Sequence, residues 1–298
     1  FKGRIMFPIH SMSGRVTGFG GRILKQDKQA AKYMNSPESE VYQKSKMLYG
    51  LYQAKQHIAK ESNCYLVEGY TDVIQMHQAG IQNVVSSSGT ALTPDQVRLI
   101  RRLTNTITLL FDGDAAGIRA AIRGVDVILE AGMHVSICTF PAGEDPDSFV
   151  RRNHPTEVKE FLEKSTVDFV QFKARLLAEE GDNEPIRKAE TIGEIVSTIA
   201  LIPDAIRREI YIQDCASTMN ISEDVLFSTL AQILQKKAKQ APQTKASEMM
   251  QVVSTPKQKV NQRFVLERNI ISLLLLYGNE EVSFEDVVLQ SDGEGKIE

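Results

Sequence analysis

The sequence predicts an α/β protein: a parallel sheet flanked by helices, with a small α+β region before it and a helical bundle after it. Three observations carry that prediction. Between Cys64 and Pro141 short apolar runs alternate with stretches of helical period, and strand–helix alternation on this scale builds a parallel sheet covered on both faces. Residues 1–56 hold two apolar-rich runs around a turn-forming stretch. Residues 155–237 read as helical throughout.

The elements follow in order. "RIMFPI" and "RVTGFGGRIL", joined by "HSMSG", predict a hairpin whose Gly14, Gly18, Gly20 and Gly21 permit tight turning or close backbone approach. Asn35, Ser36 and Pro37 mark a turn, and a helix is expected after Leu48. "CYLVEG" reads as a buried strand, "TDVIQMHQAG" as a helix closed by Gly80, and "NVVSSSG" as a second strand. In "LTPDQVRLIRRL", Thr93 is an N-cap, Pro94 takes the first helical position and Gln96 completes a capping box. "TITLLF" is a third strand, "AAGIRAAIRGVDVILEAG" a helix ended by Gly132, and "HVSICTF" a fourth strand. Five helices are then expected, from "PTEVKEFLEKS" and "VDFVQFKARLLAEE" to "SEDVLFSTLAQILQKKAK". This divides the chain into a basic subdomain at 1–56, a catalytic candidate at 60–150 and a helical bundle at 151–238. A polar linker with two prolines follows at 239–260, and a further helix opens a last segment at 261–298.

Composition narrows the function classes. With 42% hydrophobic and 24% charged residues the chain is an ordinary globular one, and no apolar run approaches the length of a membrane span. Cys64, Cys138 and Cys215 stand far apart without His partners, so neither a disulfide framework nor a zinc site is implied, and a reducing cytoplasm is the expected compartment. The first residue is Phe1 rather than Met, as in a fragment of a longer protein. Charge is unevenly placed. Residues 1–60 hold eleven Lys and Arg against three Asp and Glu, a net of +8, so the remainder carries −11 toward the chain's −3. A basic segment beside an acidic one suits a polyanion held by the first and acted on through metal ions by the second; a solvated basic face is the plainer alternative.

The acidic residues fall where strands end. Glu68 follows "YLV", Asp112 and Asp114 follow "TLLF", and Asp145 and Asp147 sit in "GEDPD" beyond "SICTFP". Singly, Asp114 could cap the next helix, Glu68 could be an exposed strand end and Asp145–Pro146 an ordinary turn. Jointly they converge on one edge of a parallel sheet, where doubly wound folds bind ligands. Like charges a few ångströms apart repel by roughly 4 kcal/mol at an effective dielectric near 20, so such a cluster calls for a cation. Magnesium is the economical choice, because it favours carboxylate oxygens and bridges them to substrate phosphates, whereas zinc would require clustered His or Cys.

These motifs resemble a known family. "YLVEGYTDVIQMHQAGIQNVVSSSGTALTPDQ", "LLFDGDAAGIRAA" and "FPAGEDPDSFV" resemble the toprim domain, with its Glu and DxD motifs. "RIMFPIHSMSGRVTGFGGRIL", "KYMNSPES" and "YQKSKMLYGLYQAK" resemble the RNA polymerase core of bacterial DnaG-type primases. The resemblance implies a toprim-type sheet and template-directed joining of ribonucleoside triphosphates on single-stranded DNA. It implies Glu68, Asp112 and Asp114 as catalytic ligands of Mg²⁺ (or Mn²⁺), with Asp145 and Asp147 serving a second metal or the incoming nucleotide. Arg22, Lys32 and Lys44 match basic positions for the triphosphate and nucleic acid. It further implies a zinc-binding domain outside this chain, and a replicative helicase as partner through a C-terminal domain that begins in 261–298.

Rival readings differ in chemistry. A toprim topoisomerase needs a nucleophilic tyrosine, and Tyr70 in "VEGY" reads better as packing. A toprim nuclease lacks the basic upstream blocks. A non-catalytic DNA binder would gain from losing the carboxylates, and a helicase motor is excluded for these residues because no GxxxxGK[ST] loop occurs.

Overall fold

The computed structural model describes residues 1–24, 31–112, 114–141, 143–179 and 185–240, with seven further helical positions between 266 and 275. Two compact units emerge, Phe1–Gln240 and Ala241–Glu298. Beyond residue 240, the expected linker lies outside the described residues, as does most of 261–298.

The expected hairpin is present: β1 (Arg4–His10) and β2 (Val16–Ile23) pair antiparallel from Arg4↔Ile23 to Ile9↔Gly18, with an irregularity at His10. A third strand, β3 (Tyr33–Asn35), lies beyond what the sequence suggested. It pairs with β2 and sets Tyr33 beside Arg22. The turn therefore begins one residue later than expected, at Ser36, whose Oγ accepts the Phe19 N–H at 2.9 Å. A single 3₁₀ turn at Lys44–Lys46 leads to α1 (Leu51–Glu61).

The second sheet has five strands. Four are parallel: β4 (Cys64–Val67), β5 (Val84–Ser86), β6 (Thr106–Phe111) and β7 (His134–Thr139). The fifth, β8 (Val167–Asp168), runs antiparallel on β7, giving the order β5-β4-β6-β7-β8. The expected helix over 167–180 therefore starts two residues late. Val167 is β-branched and fits the pleated edge, and Asp168 Oδ1 accepts the N–H groups of Val170 and Gln171 at 2.7 and 3.1 Å, so that α7 (Phe169–Glu179) begins after it.

Alternation along the strands buries both faces. Leu66, Ile107, Leu109, Val135 and Ile137 face a core shared with α1, α3 (Pro94–Arg101) and α4 (Ala115–Glu130), extending through α7, α8 (Pro185–Ile199), α9 (Ala205–Met219) and α10 (Glu223–Gln240). Val67, Leu110 and Cys138 face the other way, against α2 (Tyr70–Gln78), α5 (Pro146–Arg152) and α6 (Pro155–Ser165). Adjacent Leu109 and Leu110 are both 0% exposed, which an antiparallel sheet with one wet face would not allow. The three cysteines are free, separate and buried. Among the described residues no helix is long and apolar enough to cross a membrane.

Candidate active site

Strand register brings the first two carboxylates together. Leu66 pairs with Leu109 on neighbouring strands, so Glu68 leaves β4 level with Phe111 and Asp112 follows one position on. The turn after β6 is close-fitting. Asp114 Oδ1 accepts the Gly117 N–H at 2.7 Å, so Asp114 does cap the following helix. A Cβ on Gly117 would lie 2.4 Å from the Asp112 carbonyl oxygen. Only glycine lets the first turn of α4 close against Asp112.

Asp145 is the N-cap of α5 rather than part of a plain turn. Its Oδ1 accepts the Ser148 N–H at 2.7 Å, while the Ser148 hydroxyl oxygen accepts the Asp145 N–H at 3.0 Å. Asp147, in the first turn, has Oδ1 2.9 Å from Arg151 Nε; that oxygen is out of solvent and otherwise receives no hydrogen bond. Glu68, Asp112, Asp145 and Asp147 line one cavity of about 300 Å³. Asp114 is exposed just outside this lining.

Basic residues line the cavity as well. Arg22 on β2 and Lys32 beside β3 line the same cavity with Tyr33, Arg22 Cζ and Lys32 Nζ each lying 5.8 Å from its ring centroid. Lys44 stands apart, on the 3₁₀ turn. The first sheet and α2 are joined by Tyr70, whose hydroxyl donates to Asn35 Oδ1 at 2.5 Å. Gly20 makes that approach possible, since a Cβ there would come within 2.5 Å of the Tyr70 ring.

The electrostatics are those of carboxylates confined together. Burial, then the charges of Asp112 and Asp114, push the Glu68 carboxyl above its ordinary range. Burial, then Asp145 and Asp114, do the same to Asp112, with Lys32 opposing. At Asp145 burial is outweighed by the Ser148 hydrogen bonds, with Lys32 adding to them, and its carboxyl is held below the usual range. One member went unnoticed in the sequence. Asp72 is 8% exposed in the same cavity and is pushed up to about 7 by burial first, the Gly69 N–H at 2.8 Å opposing, and then by Asp145, Asp112 and Asp147. Its position four residues after Glu68, as N3 of a helix capped by Gly69, is the signal that could have found it.

The donor set fits a hard divalent cation. Glu68, Asp112, Asp145 and Asp147 would offer such an ion carboxylate oxygens alone. Among the described residues no three such side chains close around a single point, so the carboxylates share a rim rather than a finished cage.

Comparison with known proteins identifies the family. The model for the DNA primase catalytic core, N-terminal domain, matches residues 1–55, a Toprim-like model matches 65–150, and the DnaB-helicase binding domain of primase matches 170–224. The chain is 38% identical over 232 residues to the DNA primase of Halalkalibacterium halodurans, covering 76% of this chain and 38% of that relative. It thus spans well under half the length of the curated relatives it matches. A crystal structure of a DNA primase domain from Pseudomonas aeruginosa superposes with a TM-score of 0.69 at 33% identity, covering 78% of this chain and 73% of that one. A DnaG primase catalytic domain bound to ssDNA gives a TM-score of 0.63 at 34% identity, covering 73% and 70%. Fold and site together define a toprim-type catalytic domain set against a basic sheet. More particularly, the chain belongs to the bacterial DnaG-type DNA primases and corresponds to their catalytic core. The helicase-binding match falls on α7, α8 and α9, not on 261–298, where the sequence reading places such a domain.

Proposed function

We propose that this chain joins ribonucleoside triphosphates on a single-stranded DNA template, as the catalytic core of a primase. The observation that carries this reading is the single cavity that carboxylates from three strand ends share with Arg22 and Lys32. Glu68, Asp112 and Asp114 would hold Mg²⁺, or Mn²⁺ in its place, with Asp145 and Asp147 available to a second ion or to the incoming nucleotide. When bound, such ions activate the attacking hydroxyl and neutralise the leaving oxygen of an in-line displacement. The protein's own share is placement. Arg22 and Lys32 share the cavity with the carboxylates and would hold a triphosphate there. The Ser148 hydrogen bonds keep Asp145 ionised, and Lys44 would add sequence-independent phosphate contact. A replicative helicase as partner is supported by the match over 170–224.

Incubation with single-stranded template, ribonucleotides and Mg²⁺ tests the reading. Growing RNA products support it; a shortened template with no new product would identify a nuclease instead.

A further inference from the structure

Gln96 ties a basic turn to the catalytic sheet across about fifty residues of sequence. As third residue of α3 it completes the capping box, for which its Oε1 suffices by accepting the Thr93 N–H at 3.1 Å. Its amide group is engaged as well, donating to the carbonyl oxygens of Lys44 at 3.2 Å and Met47 at 2.8 Å. Thr93 adds a second tie, its Oγ1 donating to the Ser45 carbonyl at 2.5 Å while accepting the Gln96 N–H at 3.2 Å. Gln96 is 0% exposed and both of its amide hydrogens are engaged, and of these five bonds helix capping accounts for only two. The turn so held carries Lys44, the one predicted basic contact that stands outside the acidic cavity.

We propose that Gln96, aided by Thr93, is a positioning residue that fixes the Lys44 turn and thereby presents Lys44 to a phosphate of the bound nucleic acid or nucleotide. The inference rests on the reading of Lys44 as a phosphate contact. A Lys44 ammonium on an untethered turn would keep its charge and lose its place.

The test uses the full chain and the variants Gln96→Met, Thr93→Val, Lys44→Ala and the Gln96→Met/Lys44→Ala pair. Two arms are read: anisotropy of a labelled oligodeoxythymidylate over a salt series, and KM and kcat for ribonucleotides. Lys44→Ala is expected to weaken one arm about fivefold and, on the oligonucleotide arm, to lower the salt slope by about one. Gln96→Met should weaken the same arm comparably with kcat unchanged, and the pair should be no weaker than Lys44→Ala alone. Loss on the oligonucleotide arm assigns the phosphate to the strand, and loss in KM assigns it to the nucleotide. Wild-type binding by Gln96→Met beside a weakened Lys44→Ala overturns the proposal and leaves the reading of Lys44 standing. Additive losses also overturn it, since they make Gln96 merely stabilising. A Lys44→Ala protein unchanged on both arms overturns both. If Gln96→Met does not fold, Thr93→Val carries the same comparison.

Discussion

The rings of Phe7 and Tyr70 lie flat on each other, with centroids 5.1 Å apart and planes 7° from parallel. Tyr49 meets Tyr70 edge-on at 4.8 Å. Phe7 belongs to the sheet that carries Arg22, and Tyr70 opens the helix that follows Glu68, so this stack sets the spacing between the cationic and anionic groups of the cavity.

Replacing the tyrosine should separate its two contributions. Tyr70→Phe keeps the stack and loses the hydroxyl bond to Asn35, a cost of about 1 kcal/mol. Tyr70→Ala empties a buried site and should cost about 3–5 kcal/mol. Denaturant unfolding of both variants checks the difference, and equal losses would mean that the ring carries little of the contact.

Gly117→Ala should damage the site more than the fold. A methyl group there meets the backbone of Asp112, which must shift with the turn that carries both DxD carboxylates. Nucleotide joining is expected to fall by at least about tenfold, the scale set by a 1.4 kcal/mol rise in the barrier. Circular dichroism should remain that of the parent.

Glu68→Gln and Asp112→Asn should each abolish Mg²⁺-dependent joining. In metal-free buffer each removes a charge that its neighbours repel, so the melting temperature is expected to stay level or rise. Mg²⁺ should stabilise the parent and not the variants, and the parent's gain should shrink as the pH is lowered, because protons compete at carboxyls whose pKa values are raised. Full activity in either variant would remove the carboxylates from the mechanism.

Asp72 gives a pH signature. Its folded-state pKa of about 7 exceeds the ordinary 3.8, so the folded chain holds this proton more tightly than the unfolded one. The stability this contributes is complete below about pH 4 and is lost as the pH rises through 7. Asp72→Asn keeps an acceptor for the Gly69 N–H without the charge. It should melt higher than the parent in mildly alkaline, metal-free buffer, and the gain should shrink steadily as the pH falls toward 4. A gain independent of pH would contradict the assignment.

Much of this was legible in the sequence because period and punctuation agree there. The Thr93–Pro94–Gln96 box and the runs "CYLVEG", "TITLLF" and "HVSICTF" place the elements to within a residue or two, and parallel pairing then makes Glu68 and Asp112 neighbours. What escaped depends on tertiary partners. Tyr33–Asn35 is too short to show alternation and is a strand only because Gly20–Arg22 lies beside it. Val167–Asp168 is extended only because β7 offers an edge. Asp72 reads as a first-turn helix acid until packing takes its carboxylate out of water. Lys44 belongs to the same family resemblance as Arg22 and Lys32, but a shared resemblance does not specify a shared cavity.

The two-residue strand β8 also decides where this chain tolerates being cut. It is the last rung beside β7 and the entry to the bundle, so a truncation ending at Ser165 would strip two residue pairings from β7 together with the helices that cover one face of the sheet, and leave both open to a second molecule. Such a shortened protein should self-associate through that bared rim and the uncovered apolar face, whereas one ending at Gln240 should stay monodisperse.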